Sequence, residues 1–300
     1  MALCELCPRQ CRVDRTVRAG GCGMDAHLNV ASIVIHRGEE PPLVTGAGSG
    51  AVFFCGCPLA CSFCQNKQIS HYGVGRQVSP LELACSLVEL QESGCSNINL
   101  VSPTHVTPEI LEALDEARNR GLTLPVILNS SGYERPEILS RWKDRARIYL
   151  MDVKYGDNQT GRVLSRVDDY WDRVREAIAF LWETVGPLRV NAQGSAISGL
   201  IVRHLVLPGM RSNPFAVLEF LSEISADIAL SIMSQYTPDF YTGDLPEMKR
   251  CISPEEYRVV LDRADELGFE TIFLQDMGAP SFYTPDFTAR KPFGDCVRLL

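Results

Sequence analysis

The sequence predicts an α/β fold on a mostly parallel sheet, closed as a full or partial barrel rather than opened as a doubly wound sheet. Three observations point that way. From residue 51 onward, short runs rich in Ile, Val, Leu and Phe show little polar alternation, as strands covered on both faces require. Longer helical patterns alternate with them about six times, the rhythm of right-handed βαβ units. No Gly-rich nucleotide fingerprint follows the first strand, which favours the barrel.

The candidate strands are "AVFFC" (51–55), "NINLV" (97–101), "LPVILN" (124–129), "IYLMDV" (148–153), "LIVRHLVL" (200–207), "IALSIM" (228–233) and "TIFLQ" (271–275). Helix starts are marked by Ser79-Pro80-Leu81-Glu82 and Ser253-Pro254-Glu255-Glu256. Each has an N-cap serine, proline at the first helical position and a glutamate able to close a capping box. Thr107-Pro108 and Asn213-Pro214 repeat the cap-plus-proline part, and Gly94, Gly121, Gly186 and Gly268 mark helix ends. Residues 1–45 lack strong helical periodicity and carry Cys4, Cys7, Cys11 and Cys22 between turn-like stretches such as "RGEEPP". They are expected to form a small cysteine-rich module appended to a barrel at 46–300, with "TGAGSGA" (45–51) as hinge.

The chain has 300 residues, 45% hydrophobic and 22% charged, enough for a sizeable core. A formal charge of −8, spread along the chain, argues against a nucleic-acid-binding surface. No apolar run reaches signal-peptide or membrane-span length, so a cytoplasmic protein with no membrane partner is expected. In that reducing compartment the twelve cysteines read first as metal ligands.

The densest cluster is "CGCPLACSFCQN" (55–66), placed where a βα loop would lie at the carboxyl ends of the strands. Cys57-x3-Cys61-x2-Cys64 supplies three soft thiolates, suited to zinc or an iron–sulfur cluster and one short of a closed tetrahedral site. His71 could complete a zinc site. Cys55 breaks the spacing and reads as a small apolar residue at a strand end.

Cys57-x3-Cys61-x2-Cys64 after a first strand resembles the signature of the radical S-adenosylmethionine superfamily. The form is most similar to activating enzymes of the pyruvate formate-lyase type and their less characterised relatives. The resemblance implies a partial (β/α)6-type TIM barrel and a 4Fe-4S cluster on the three cysteines. Its open iron would chelate S-adenosyl-L-methionine, and reductive cleavage would yield a 5′-deoxyadenosyl radical that abstracts hydrogen. It also implies a flavodoxin- or ferredoxin-type reductant.

Phe63 stands immediately before the third cysteine, as aromatic residues often do in this family, and the resemblance implies that it covers the adenine or the cluster. "NLVSPTH" (99–105) takes the place of the family's Gly-Gly-Glu segment, with Ser102, Thr104 and His105 as polar candidates. "LMDVKY" (150–155) resembles the Asp-x-Lys strand end, placing Asp152 and Lys154 on one face to hold cosubstrate or line the substrate space. "IVRHLVLPG" (201–209) resembles the activating-enzyme pattern of an arginine five residues before Pro-Gly, which makes Arg203 a candidate to meet the cosubstrate carboxylate; by alternation His204 points the other way as a packing histidine. Asn129, Ser131, Gln235 and Tyr236 are further candidates for the pocket wall.

Cys4-x2-Cys7-x3-Cys11-x10-Cys22 supplies four thiolates, a complete site for zinc or an auxiliary iron–sulfur cluster. Cys85 and Cys95 read as buried thiols, and Cys251 and Cys296 as isolated. The enzyme reading leaves a lateral barrel gap through which a glycyl-radical protein or another bulky substrate could enter. The competing class is a non-catalytic electron-transfer or metal-binding module, against which Asp152, Lys154 and Arg203 weigh.

Overall fold

The computed structural model describes residues 3–278, 284–289, 291–293 and 297–298. Among them lie strands β1 (Asn29–His36), β2 (Ser49–Phe54), β3 (Arg76–Gln77), β4 (Asn97–Val101), β5 (Val126–Ser130), β6 (Ile148–Asp152), β7 (Arg189–Val190), β8 (Ala196–Leu205), β9 (Ala229–Met233), β10 (Ile272–Leu274) and β11 (Val297–Arg298). The helices are α1 (Lys67–Ser70), α2 (Pro80–Glu92), α3 (Thr107–Asn119), α4 (Pro136–Leu139), α5 (Asn158–Ser165), α6 (Tyr170–Val185), α7 (Pro214–Ile224) and α8 (Pro254–Glu266).

The sheet runs β10-β9-β8-β6-β5-β4-β2-β1-β11, and every neighbouring pair from β2 to β10 along this order is parallel. All seven predicted strands are present, in the parallel-rich α/β architecture of a partial TIM-type barrel. Side chains alternate as the pleat demands. Leu128, Tyr149, Met151, Leu200 and Val202 join the main core with residues of α2, α3 and α6, while Ile127, Ile148, Leu150 and Ile201 face the barrel interior.

Two features differ from the expected division at residue 45. First, Asn29–His36 of the expected module is a strand, antiparallel to β2, so it belongs to the sheet. Its run of Val30, Ile33, Val34 and Ile35 is β-branched and buried or nearly so. Second, the "TGAGSGA" stretch is not a free hinge. Gly48 has φ +130 and a Cβ there would meet the His36 carbonyl at 2.7 Å, so the turn into β2 is tight and requires glycine.

Between β1 and this turn, Pro41–Leu43 forms a short 3₁₀ turn whose buried Leu43 packs on Ile127, Ile148, Ala196 and Ala229 at the strand starts. Asn97 Nδ2 donates to the Leu43 carbonyl at 2.7 Å. This segment floors the barrel. At the other side of the sheet, Phe287 and Phe293 pack on Phe53 with ring centroids 5.3 and 5.2 Å apart, and β11 pairs with β1. The chain thus returns from the β10 edge to the β1 edge.

Candidate functional site

The cysteine loop leaves β2 through Gly56 at φ +82, where a Cβ would collide with Met24 and crowd the Cys22 carbonyl. Its backbone is pinned to the end of α5: Ala60 N–H donates to Ser165 O at 3.1 Å and Ser62 N–H to Leu164 O at 2.8 Å. Cys61 Sγ lies 2.9 Å from Ser165 Oγ, Cys64 Sγ lies 3.3 Å from Ser70 Oγ, and Leu59 N–H points at Cys57 Sγ at 3.4 Å. Burial, reinforced by the neighbouring Cys61, pushes the Cys57 thiol well up and Cys64 to about 11. Thiolates there need a bound cation to be stable, as metal ligation provides.

Cys57, Cys61 and Cys64 open into one cavity of about 230 Å³ together with Phe63, Ser102, Asn129, Asp152, Lys154 and Arg203. Ser131, Gln235 and Tyr236 line it too. Phe63 is held edge-on to Tyr155 and Tyr236, at centroid distances of 6.3 and 5.9 Å. Ser102 adopts φ +58, unusual outside glycine, and its N–H donates to Asn129 O at 2.8 Å.

On the cavity wall, Asp152 accepts from Lys154 Nζ at 2.7 Å and from Arg203 Nε at 2.8 Å. Burial alone would raise the Asp152 carboxyl, but Arg203 and Lys154 outweigh it and hold it at about 2. Lys154 is pulled the opposite way by burial, yet Asp152 keeps it at about 12, fully protonated at neutral pH. Arg203 also donates from Nη2 to Asn129 Oδ1 at 2.8 Å and from Nη1 to Glu39 Oε2 at 3.1 Å. Each of its three nitrogens therefore already serves a protein acceptor.

Two predicted residues lie elsewhere. The 3₁₀ turn Thr104–Val106 swings Thr104 and His105 away from the cavity into the packing against the amino-terminal segment. Thr104 Oγ1 donates to the buried Glu134, and His105 Nε2 sits 2.6 Å from the Cys55 carbonyl, with burial lowering its pKa to about 4. His71 is exposed beside Tyr72, outside the cavity. Cys55 is buried with Phe53 and Ile69, and His204 is buried with Nδ1 2.6 Å from Val153 O and Nε2 3.1 Å from Ser212 Oγ, both as packing residues.

Cys85, expected to be buried, is exposed: α2 turns Leu83, Ala84, Leu87 and Leu90 inward, leaving Cys85 on its outer face. Cys95 is buried and Cys251 exposed, while Cys296 lies outside the described residues. Glu39 and Glu40, which line the same cavity, were hidden in a stretch that reads as a turn.

The amino-terminal cysteines gather beside the triplet loop. A Cβ on Gly20 would sit 3.4 Å from Cys11 Sγ and 3.6 Å from Cys22 Sγ, and Cys4, Cys7 and Cys22 feel one another's charge. Burial pushes Cys11 up, but N–H groups of Gly21 and Val13 and the Cys4 side chain outweigh it and lower its pKa. Cys57 N–H donates to Cys22 O at 3.3 Å, and Arg9 donates to the carbonyls of Pro58 and Arg166. Among the described residues no three His, Cys, Asp or Glu side chains converge as for a single metal ion. Three thiolates on a polynuclear cluster bind different irons and need no such point of convergence.

Residues 51–183 match the sequence model of the Radical SAM superfamily. Over 278 residues the chain is 27% identical to the uncharacterized protein MJ0674 of Methanocaldococcus jannaschii, covering 90% of this chain and 76% of that one. It is 26% identical over 159 residues to a pyruvate formate-lyase-activating enzyme of Clostridium pasteurianum, covering 49% and 66% respectively.

Among solved structures, Streptococcus suis SuiB bound to precursor peptide SuiA superposes with a TM-score of 0.51 at 9% identity, over 73% of this chain and 46% of that one. HydG, a maturase of the FeFe-hydrogenase, does so at 0.50 and 11%, over 73% and 49%. The chain thus spans about half the length of these two solved chains, and the likeness to them is one of fold. The cysteine triplet thus lies on the first βα loop of a parallel barrel and within the stretch, residues 51–183, over which the chain is similar to the radical SAM superfamily.

Proposed function

We propose that this chain is a cytoplasmic radical S-adenosylmethionine enzyme, with Cys57, Cys61 and Cys64 holding a 4Fe-4S cluster. The observation that carries the reading is that three thiols of one loop share a cavity with a buried Asp152–Lys154–Arg203 system. An electron-transfer module has no use for charged groups aimed at its metal, since burying them is costly. When bound, the cluster supplies the electron that cleaves S-adenosylmethionine to methionine and a hydrogen-abstracting 5′-deoxyadenosyl radical.

The chain's own residues orient and exclude water. Lys154, held by Asp152 and close to the thiols, binds the carboxylate or ribose of the cosubstrate. Asn129 and Ser102 offer polar contacts, and Phe63 covers the cluster side. Arg203 acts mainly through others: its bonds fix the rotamers of Asp152 and Asn129. Cys4, Cys7, Cys11 and Cys22 form a second site in the part of the 1–45 segment that precedes β1; as they stand they suit an auxiliary cluster, and a single zinc ion would require them to draw together on one point.

A polypeptide substrate, including a glycyl-radical enzyme, is favoured by the similarity to a pyruvate formate-lyase-activating enzyme, and a flavodoxin- or ferredoxin-type protein would donate the electron. Anaerobically reconstituted, reduced protein tests the reading by electron paramagnetic resonance. Addition of S-adenosylmethionine should shift a cluster signal, and a Cys57→Ala protein should lose the component that shifts. A signal indifferent to S-adenosylmethionine would leave the electron-transfer class standing.

A further inference from the structure

The floor segment between β1 and β2 brings two consecutive carboxylates, Glu39 and Glu40, up into the barrel from below. Glu39 is paired: Oε2 accepts from Arg203 at 3.1 Å and Oε1 from Asn99 Nδ2 at 2.8 Å. Glu40 is only 8% exposed, yet its Oε2 has no hydrogen-bond partner. The carboxyl lines the main cavity, and also a second depression that reaches Ser231 on β9 and Phe273 beside Gln275 at the β10 edge. The two depressions meet at this pair of glutamates.

A second unpartnered atom lies next to them. Asn99 Oδ1, on a side chain with no exposure, also lacks a donor. Both orphans at this end are acceptors, and a buried acceptor without a donor is costly. Burial raises the pKa of both Glu39 and Glu40 against the opposing pull of Arg203, so ionising Glu40 calls for a further positive charge beside it. His36, which lines the same cavity, does not supply it, because burial, with Arg203 nearby, lowers its pKa to about 4.

We propose that Glu40 is a substrate-recognition residue, and that the substrate presents a protonated primary amine that docks on its free carboxylate oxygen at the lower end of the cavity. The proposal rests on the radical-enzyme reading for the statement that the occupant is a substrate, and it deepens that reading by naming the substrate's charge. A primary ammonium brings three N–H donors and one positive charge. It therefore offers Glu40 Oε2 both a donor and the positive charge that a neutral hydroxyl lacks. A lysine side chain of a polypeptide and a small alkylamine share this chemistry.

The test is anaerobic isothermal titration of the reconstituted full-length protein with n-butylammonium chloride, tetramethylammonium chloride, n-butanol and potassium chloride at constant ionic strength. n-Butylammonium should bind at least tenfold more tightly than the other three, and Glu40→Gln should weaken it tenfold or more. The comparison of probes on the unaltered protein decides the matter even if that variant does not fold. Equal binding of tetramethylammonium or butanol would overturn the proposal, as would displacement by equimolar potassium or an unchanged affinity in Glu40→Gln. None of these readouts uses S-adenosylmethionine cleavage, so loss of the enzyme reading and loss of the amine site give different results.

Discussion

Glu134 shows how one buried carboxyl can set a pH dependence for the fold. It is 2% exposed and accepts from both Thr104 Oγ1 and Ser130 Oγ. Burial raises its pKa to about 7, against the lowering effect of those two hydroxyls. Between the unfolded value near 4.5 and the folded value, the native state keeps a proton that the unfolded state has released. This contribution is therefore fully present below about pH 4.5 and is lost as pH rises through 7, amounting to about 3 kcal/mol. In Glu134→Gln the thermal midpoint should vary less between pH 5 and 8 than in the unaltered protein. Equal slopes in the two proteins would show that Glu134 does not carry the effect. At this scale the cysteine triplet was legible because its chemistry lies in spacing. Glu39 and Glu40 were not, because "RGEEPP" reads as a turn and nothing local shows that it lies under a barrel.

At the scale of elements, local signals served well wherever the local physics is complete. Ser79 and Ser253 both form full capping boxes, as their sequences promised. Thr107-Pro108 and Asn213-Pro214 gave the helices but not the caps. Thr107 is already helical and donates its hydroxyl to Thr104 O at 2.9 Å, and Asn213 sits at φ +49 with no side-chain cap bond. Strand β1 escaped notice because the cysteines before it suggested a self-contained module, although its β-branched run was visible. The segment before β1 makes a prediction of its own. If Cys4, Cys7, Cys11 and Cys22 hold a metal independently, a Cys57/Cys61/Cys64 triple-alanine variant purified anaerobically should retain it by elemental analysis. Zinc, or iron with sulfide, would identify the occupant, and neither metal would mean four free thiols.

Taken whole, the molecule places its soft ligands and its fixed charges at one barrel. The parallel strands carry Asn129, Asp152 and Arg203 from three neighbouring positions to a common interior, with the cysteine loop above and the glutamate floor below. The open side of the sheet is not bare: Phe287 and Phe293 lie against Phe53 there, and the carboxyl-terminal strand pairs with β1. Parallel order could be read from the rhythm of strands and helices, whereas this closure depends on pairing between distant segments that no local pattern encodes. Among the described residues no helix is long and apolar enough to cross a membrane. The most direct test of the central claim is to reconstitute the protein anaerobically, reduce it with dithionite in the presence of S-adenosylmethionine, and quantify 5′-deoxyadenosine. The unaltered protein should form it and Cys61→Ala should form none, whereas Cys55→Ser should still form it; full activity in Cys61→Ala would contradict the assignment.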